Sequence, residues 1–518
     1  MKKILGRVLI VLPAVAIQVF WFILILGGLG SIRRFLGDWL VTVVNVIFEV
    51  IAFLIVLYII SKRDESAYRL LWTIVVILFP ILGSILYLVL GNKKTGRRLD
   101  AKIRRAAADL GRNEFYIENN AINEVYNEDP RLMQSVSFLC ENAKFPMLHN
   151  ESVKYYPFGE LCFKDMCEDL KKAQSYIYME YFILQRGVFL DTLTDIMAKK
   201  VEEGVDVRII YDDLGSIGTY SIKDVKELRA KGIKIEPFNP FLFIRTQLNN
   251  RTHRKMMIID GEIAYSGGIN VADEYINEIH PFGVWKDLGF RMTGKAVESY
   301  RFMFMEFWNS LELEEKIVPK PIPAPNERKL VATPDTTDGY IIPYYDSPER
   351  DDHSSNLMYV ELLSQAKDYV WFFTPYLMLG DALFDAFIFA AKRGVDVRLI
   401  TPGISDSKFV HRISRGYYLD LLKAGVKIYE YTPGFVHAKA FVVDDKIAGV
   451  GTVNLDYRSL FLHYECNSMF YKSSMINEVK SDFLKTQEEC ELKTVESMTF
   501  GKFHRLIDGI LRVFAPLM

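Results

Sequence analysis

His253-Arg254-Lys255-Met256-Met257-Ile258-Ile259-Asp260 and His437-Ala438-Lys439-Ala440-Phe441-Val442-Val443-Asp444 are two settings of one pattern. Each reads His-x-Lys, an apolar run, an Asp seven residues after the His, and then Gly-x-x-Asn: Gly267 and Asn270 in one copy, Gly451 and Asn454 in the other. The offset is 184 residues at all five positions (437 − 253 = 439 − 255 = 444 − 260 = 451 − 267 = 454 − 270). A lone His-x-Lys is an ordinary strand end, but a five-point register held without an insertion marks an internal duplication.

The apolar runs read as buried strands closed by Asp-Gly and Asp-Asp turns. Residues two apart on a strand share a face, so His253 sides with Lys255 and His437 with Lys439. Asp260 and Asp444 stand at an odd offset and point the other way, which suits a structural hydrogen-bond partner. Gly-Gly and Gly-Thr before the two Asn let the backbone approach a ligand closely. Two His, two Lys and two Asn suit a phosphodiester. Ammonium groups neutralise phosphate oxygens, amides donate to them, and imidazole serves as nucleophile or as acid and base near neutral pH. The set suits a metal poorly, because a cation accompanies each His and no carboxylate cluster does.

HxKxxxxD followed by G-x-x-N, twice, resembles the phospholipase D superfamily. The stretches around it, HRKMMIIDGEIAYSGGINVADEY and NLDYRSLFLHYE, are similar to bacterial cardiolipin synthases, as is a hydrophobic N-terminus ahead of two catalytic halves. The resemblance implies an α/β fold of two pseudo-symmetric phospholipase D-like α/β/α sandwich halves forming one active site, preceded by transmembrane helices. It groups Asp260 and Asp444 with the catalytic His253, Lys255, His437 and Lys439, and gives phosphate binding to Lys255, Asn270, Lys439 and Asn454. It further implies that Asp287 and Glu465, which follow the His of their own halves by 34 and 28 residues, hydrogen-bond the catalytic His. The implied reaction joins two phosphatidylglycerols into cardiolipin and glycerol, with no metal or organic cofactor and with His253 as nucleophile. A hydrolase or another headgroup exchanger is the alternative on the same chemistry, and a non-catalytic membrane scaffold is the alternative from another class. Gly268 and Thr452 stand where the superfamily often carries Ser.

The repeat reaches beyond the motifs. Gly204-Val205-Asp206-Val207-Arg208 recurs as Gly394-Val395-Asp396-Val397-Arg398, and Gly232-Ile233-Lys234-Ile235 as Gly425-Val426-Lys427-Ile428. Each half alternates strands, helices and Gly turns before its motif, which predicts a mixed sheet with helices on both faces. Residues 146–318 and 330–499 are the expected halves, joined by a Pro-rich linker at 319–329. The first half has an apolar insertion at 238–244, either a lipid-facing lip or a covered loop. Phe304, Phe307 and Trp308 follow helical spacing and read as core.

Half of the 518 residues are hydrophobic, and the excess sits in residues 1–92. Segments at about 8–30, 40–60 and 70–90 are long enough to span a bilayer. Glu49 lies inside the second and reads as a helix-packing residue. A basic stretch at 93–145, opening with Lys93, Lys94, Arg97 and Arg98, reads as a juxtamembrane linker. It argues for a cytoplasmic catalytic region and for attraction to anionic lipid in the cell membrane. Residues 500–518 form an amphipathic helix that suits either a membrane interface or docking on the core. Net charge is −2, which gives no electrostatic case for nucleic acid. Five cysteines without a CxxC pair read as free thiols in a reducing compartment.

Overall fold

A computed structural model describes residues 19–20, 23, 38–91, 97–240, 249–313, 315–318, 338–350, 353–499 and 501–517. Most of the 8–30 segment, Lys93 and Lys94, positions 241–244 of the apolar insertion and the Pro-rich linker lie outside the described residues.

Each motif strand sits inside a mixed sheet, as the alternating pattern predicts. In the first half the order is 152–156, 289–293, 263–267, 256–259, 176–181, 206–212, 234–238. The strands 176–181, 206–212 and 234–238 run parallel, and 256–259 pairs antiparallel against 176–181. In the second half, 440–443 pairs antiparallel with 369–373, which runs parallel to 396–402. Met256–Ile259 and Ala440–Val443 are buried along their whole length. Burial of such side chains contributes about 1.5–3 kcal/mol each, which pins the register and therefore the direction in which each His projects.

Two short strand pairings cross between the halves. Arg251–Thr252, just ahead of His253, pairs with His463–Tyr464 of the second half. Gly434–Val436, just ahead of His437, pairs with Val284–Lys286 of the first. The backbone N–H of His253 donates to the Tyr464 carbonyl at 2.8 Å, and that of His437 to the Lys286 carbonyl at 2.7 Å. Each His is thereby held by the opposite half. Arg254 points away from His253, as strand alternation requires. Its guanidinium pairs with buried Glu180 at 2.6 and 2.9 Å and lies 3.4 Å from the Phe307 ring centroid. Phe304, Phe307 and Trp308 are core residues.

Three expectations change. Residues 70–90 do not form one span-length helix. The chain leaves helical geometry at Phe79, ahead of Pro80, and the helix Ser66–Leu78 gives way to Pro80–Leu86 folded back on it. Proline cannot donate the missing bond, and Gly83 sits where a Cβ would lie 2.3 Å from the Val75 carbonyl oxygen. Thirteen residues of helix cover only about 20 Å. Asp38–Ile60, with 23 residues, is the one helix among the described residues that is long and apolar enough to cross a membrane. Glu49 accepts from Asn45 one turn earlier on it. Second, much of the expected linker at 93–145 is helical, over Arg97–Asp109, Arg112–Asn119, Ile122–Val125 and Pro130–Ala143. Arg112 ties it to both halves, donating to Glu306 at 3.0 Å and to the Tyr345 hydroxyl at 2.7 Å. Third, Leu148–His149, expected in the first half, joins the sheet of the second by pairing with 340–341.

The terminal helix Lys502–Val513 docks on the core, one of the two settings its pattern allowed. Leu511 packs on the core and Asp508 pairs with Arg412 at 3.0 Å, while Leu506 and Ile510 remain exposed.

Candidate active site

The crossing strands deliver both motif histidines to one cavity of about 630 Å³ between the halves. The carboxylates complete the exchange. Nδ1 of His253 lies 2.9 Å from both oxygens of Glu465, and Nδ1 of His437 lies 2.6 Å from Asp287 Oδ2. The sequence placed each carboxylate after the His of its own half without saying which His it serves; the structure pairs each with the His of the other half. Both carboxylates are fully buried. A carboxylate on Nδ1 fixes the tautomer and leaves Nε2 as the nitrogen available for chemistry.

The departures from Ser have a structural reading. Thr452 donates its hydroxyl to Glu465 Oε2 at 2.5 Å. At Gly268 a Cβ would stand 2.1 Å from Asp287 Oδ1, so the bare glycine makes room for the carboxylate that holds His437.

Lys255 and Lys439 sit behind the histidines rather than on the cavity wall. Lys255 Nζ donates to the His253 carbonyl at 2.6 Å; Lys439 Nζ reaches the His437 carbonyl and lies 2.7 Å from His437 Nδ1. Burial, only partly countered by the acids, draws Lys255 down to about 8 and Lys439 down to about 7. Burial also lifts the Glu465 carboxyl to about 8 against the pull of Lys255. His437 is lowered to about 4 by burial and Lys439, with Asp287 pushing it back up. His253 falls well below the usual imidazole range through burial, then Lys255, His463 and Lys439. Lys255 adds to the depression of Lys439, and a bound phosphodiester raises both lysines. The pH dependence follows. Each lysine is charged below its folded pKa and neutral above it, so kcat/KM for an anionic phosphodiester falls as pH rises through about 7–8. A profile flat to well above that range shows that the lysine charges are not used.

Asn270 and Asn454 line the cavity wall. Asn270 accepts from the Ile183 N–H and donates to the Tyr275 hydroxyl, and Asn454 donates to Asp456 at 2.9 Å. Asp260 and Asp444, grouped with the catalytic set by resemblance, stand apart from it. Each turns left-handed after its strand (φ 54° and 49°). Asp260 accepts from the backbone N–H groups of Gln174, Ser175 and Tyr176, and Asp444 from those of Lys367, Asp368 and Tyr369. They clamp strand starts, as their odd offset implied.

Five further wall residues went unread in the sequence. Trp285 and Phe435 stand 5.8 Å from the His437 ring, with Phe282 beside them. On the other side His463 lies 5.9 Å from the His253 ring, and its Nε2 accepts from Arg458 Nε at 3.2 Å. A signal for Arg458 existed. The position 184 residues earlier is Glu274, so the repeat breaks charge at a wall position.

The family model described as "Cardiolipin synthase, PLD-like domain" matches residues 166–285 and 359–486, and "Phospholipase_D-nuclease N-terminal" matches 50–92. A cardiolipin synthase of Oceanobacillus iheyensis is 31% identical over 86% of this chain and 93% of its own length. One of Alkalihalophilus pseudofirmus is 29% identical over 96% and 98%. Among solved structures, the phosphatidylserine synthase of Haemophilus influenzae shares the fold, with a TM-score of 0.55 at 11% identity over 74% of this chain and 97% of that one.

Proposed function

The chain belongs to the cardiolipin synthase family of phospholipase D-like proteins, and on that premise we propose that it transfers a phosphatidyl group from one phosphatidylglycerol to another, giving cardiolipin and glycerol. The observation that carries this reading is the crossed pair of His–carboxylate contacts on one cavity, since a double displacement needs a nucleophile and an acid at the same phosphorus.

In the proposed cycle Nε2 of His253 attacks phosphorus, the P–O bond to the departing glycerol breaks, and His437 gives that oxygen its proton. A phosphatidyl-histidine remains. His437, now neutral, takes the proton from a terminal hydroxyl of the second phosphatidylglycerol. Its oxygen bonds to phosphorus as the P–N bond breaks and the electron pair returns to His253. The assignment of roles follows the family resemblance, which puts the nucleophile on the first-half His. Burial draws both rings below the usual imidazole range, and the Asp287 carboxylate pushes His437 back toward the protonated acid. Lys255, Lys439 and the two Asn supply the positive field and amide donors for the phosphate.

The helix Asp38–Ile60 and the neighbouring hydrophobic segments anchor the protein in the cell membrane, with the catalytic region on the cytoplasmic side. Purified full-length protein in micelles with labelled phosphatidylglycerol and excess chelator is expected to yield cardiolipin and glycerol in equal amounts. Phosphatidic acid as the only lipid product identifies a hydrolase. Loss of activity in chelator, restored by one metal, removes the lysine-and-histidine mechanism.

A further inference from the structure

The cavity has two unlike lobes. Around His437 it is aromatic, with Trp285, Phe435 and Phe282; beyond His253, past the Phe182 ring, it carries His463 and the cation Arg458. The duplication predicts like residues at like positions, yet the first half places Glu274 where the second places Arg458. Among the described residues, only one end of the cavity therefore presents a guanidinium.

That guanidinium is held in place. Its Nε donates to His463 Nε2 at 3.2 Å and one terminal nitrogen donates to the Leu517 carbonyl at 3.0 Å. Because arginine can only donate, His463 Nε2 must accept, which keeps that ring neutral with its proton on Nδ1. Burial, with Arg251 nearby, lowers the Arg458 pKa although Asp456 works against it, so an anion is favoured beside it. It stands beyond His463, whose ring centroid is 5.9 Å from that of His253 and whose Nε2 is 3.2 Å from Arg458 Nε, so it is further along the cavity than the reacting phosphate.

The reacting phosphate has its own field from Lys255, Lys439 and the two Asn. A cation further along the cavity is not needed for water or a simple alcohol as acceptor. It is matched to an acceptor that carries an anion of its own. We propose that Arg458 binds the phosphodiester of the acceptor lipid, so that the enzyme selects an anionic lipid alcohol over water and neutral alcohols in its second step. This deepens the transferase reading above and rests on it.

Arg458 takes no part in bond making. The acceptor hydroxyl oxygen forms the P–O bond, the P–N bond to His253 breaks, and the proton passes to His437. Arg458 holds the acceptor's other end.

Two rates of the same enzyme separate acceptor binding from everything else. Exchange of labelled glycerol into phosphatidylglycerol runs through the same phosphatidyl-enzyme with a neutral acceptor, whereas cardiolipin formation needs the anionic one. In Arg458→Gln the ratio of cardiolipin formation to glycerol exchange is expected to fall about 10-fold or more, the effect of losing a charge-assisted contact. The KM for phosphatidylglycerol as acceptor should rise, and Arg458→Lys should restore part of the ratio. If Arg458 only latches the C-terminal segment through Leu517, both rates fall together and the ratio holds within two-fold, which overturns the proposal. Should the Gln variant fail to fold by circular dichroism, the same ratio in Arg458→Met, which removes the charge at similar volume, decides: a value equal to wild type overturns the assignment. Wild-type protein that exchanges glycerol but makes no cardiolipin refutes the transferase reading itself, and the acceptor assignment with it.

Discussion

His253→Ala and His437→Ala are each expected to abolish the proposed cardiolipin formation, by roughly 10⁴-fold or more, although the two residues lie 184 positions apart in different halves. The size of the effect follows from the crossing. His253 hangs from the Tyr464 carbonyl and Glu465, and His437 from the Lys286 carbonyl and Asp287, so neither half holds a complete site. Residues that act as a unit are strongly non-additive, and the double variant is expected to be little worse than either single one. Each Ala variant also leaves a buried carboxylate without its imidazole, at a cost of about 1–3 kcal/mol. Thermal melts therefore accompany the assay, and a variant that melts within a few degrees of wild type yet has no turnover supports the composite site. Turnover within ten-fold of wild type in either variant shows that one His suffices and that the halves do not share one reaction.

Strand positions and the faces of their side chains were legible because burial is periodic. The 184-residue register placed both motif strands, the turns after them and the two Asp clamps without error. Pairing across the halves was not legible. Asp287 and Glu465 announce themselves as acids at a useful distance from a His, but nothing in the chain says which His. That depends on two- and three-residue strands, 251–252 and 284–286, too short to leave a hydrophobic pattern. Arg458 and His463 were hidden for another reason. They lie where the repeat fails, and a reading guided by what the halves share passes over what they do not. The 70–90 segment misled through composition alone. Its apolar length suffices to span a bilayer, but Pro80 and the close packing of Gly83 against Val75 turn it back on itself.

On an activated phosphodiester, His437→Ala is expected to retain far more first-step activity than His253→Ala. A nitrophenolate leaves with little help from a proton, so losing the acid is partly forgiven, while losing the atom that bonds to phosphorus is not. Both rings meet the minimum each role requires: burial lowers both toward the neutral form, and each has a carboxylate on Nδ1, Glu465 at 2.9 Å from His253 and Asp287 at 2.6 Å from His437, so this substrate is what separates the roles. The difference between the variants on this substrate is expected to reach about 10²-fold or more, of the order that general acid catalysis contributes. His437→Ala also lacks the base that activates the acceptor, so its phosphatidyl-enzyme resolves slowly and accumulates. Mass spectrometry of peptides from that variant should find the adduct on His253. An adduct on His437 in the wild-type protein reverses the two roles and leaves the double displacement standing, because the crossed carboxylates allow either ring to serve. A burst of nitrophenol with no covalent adduct on either His removes the double displacement altogether.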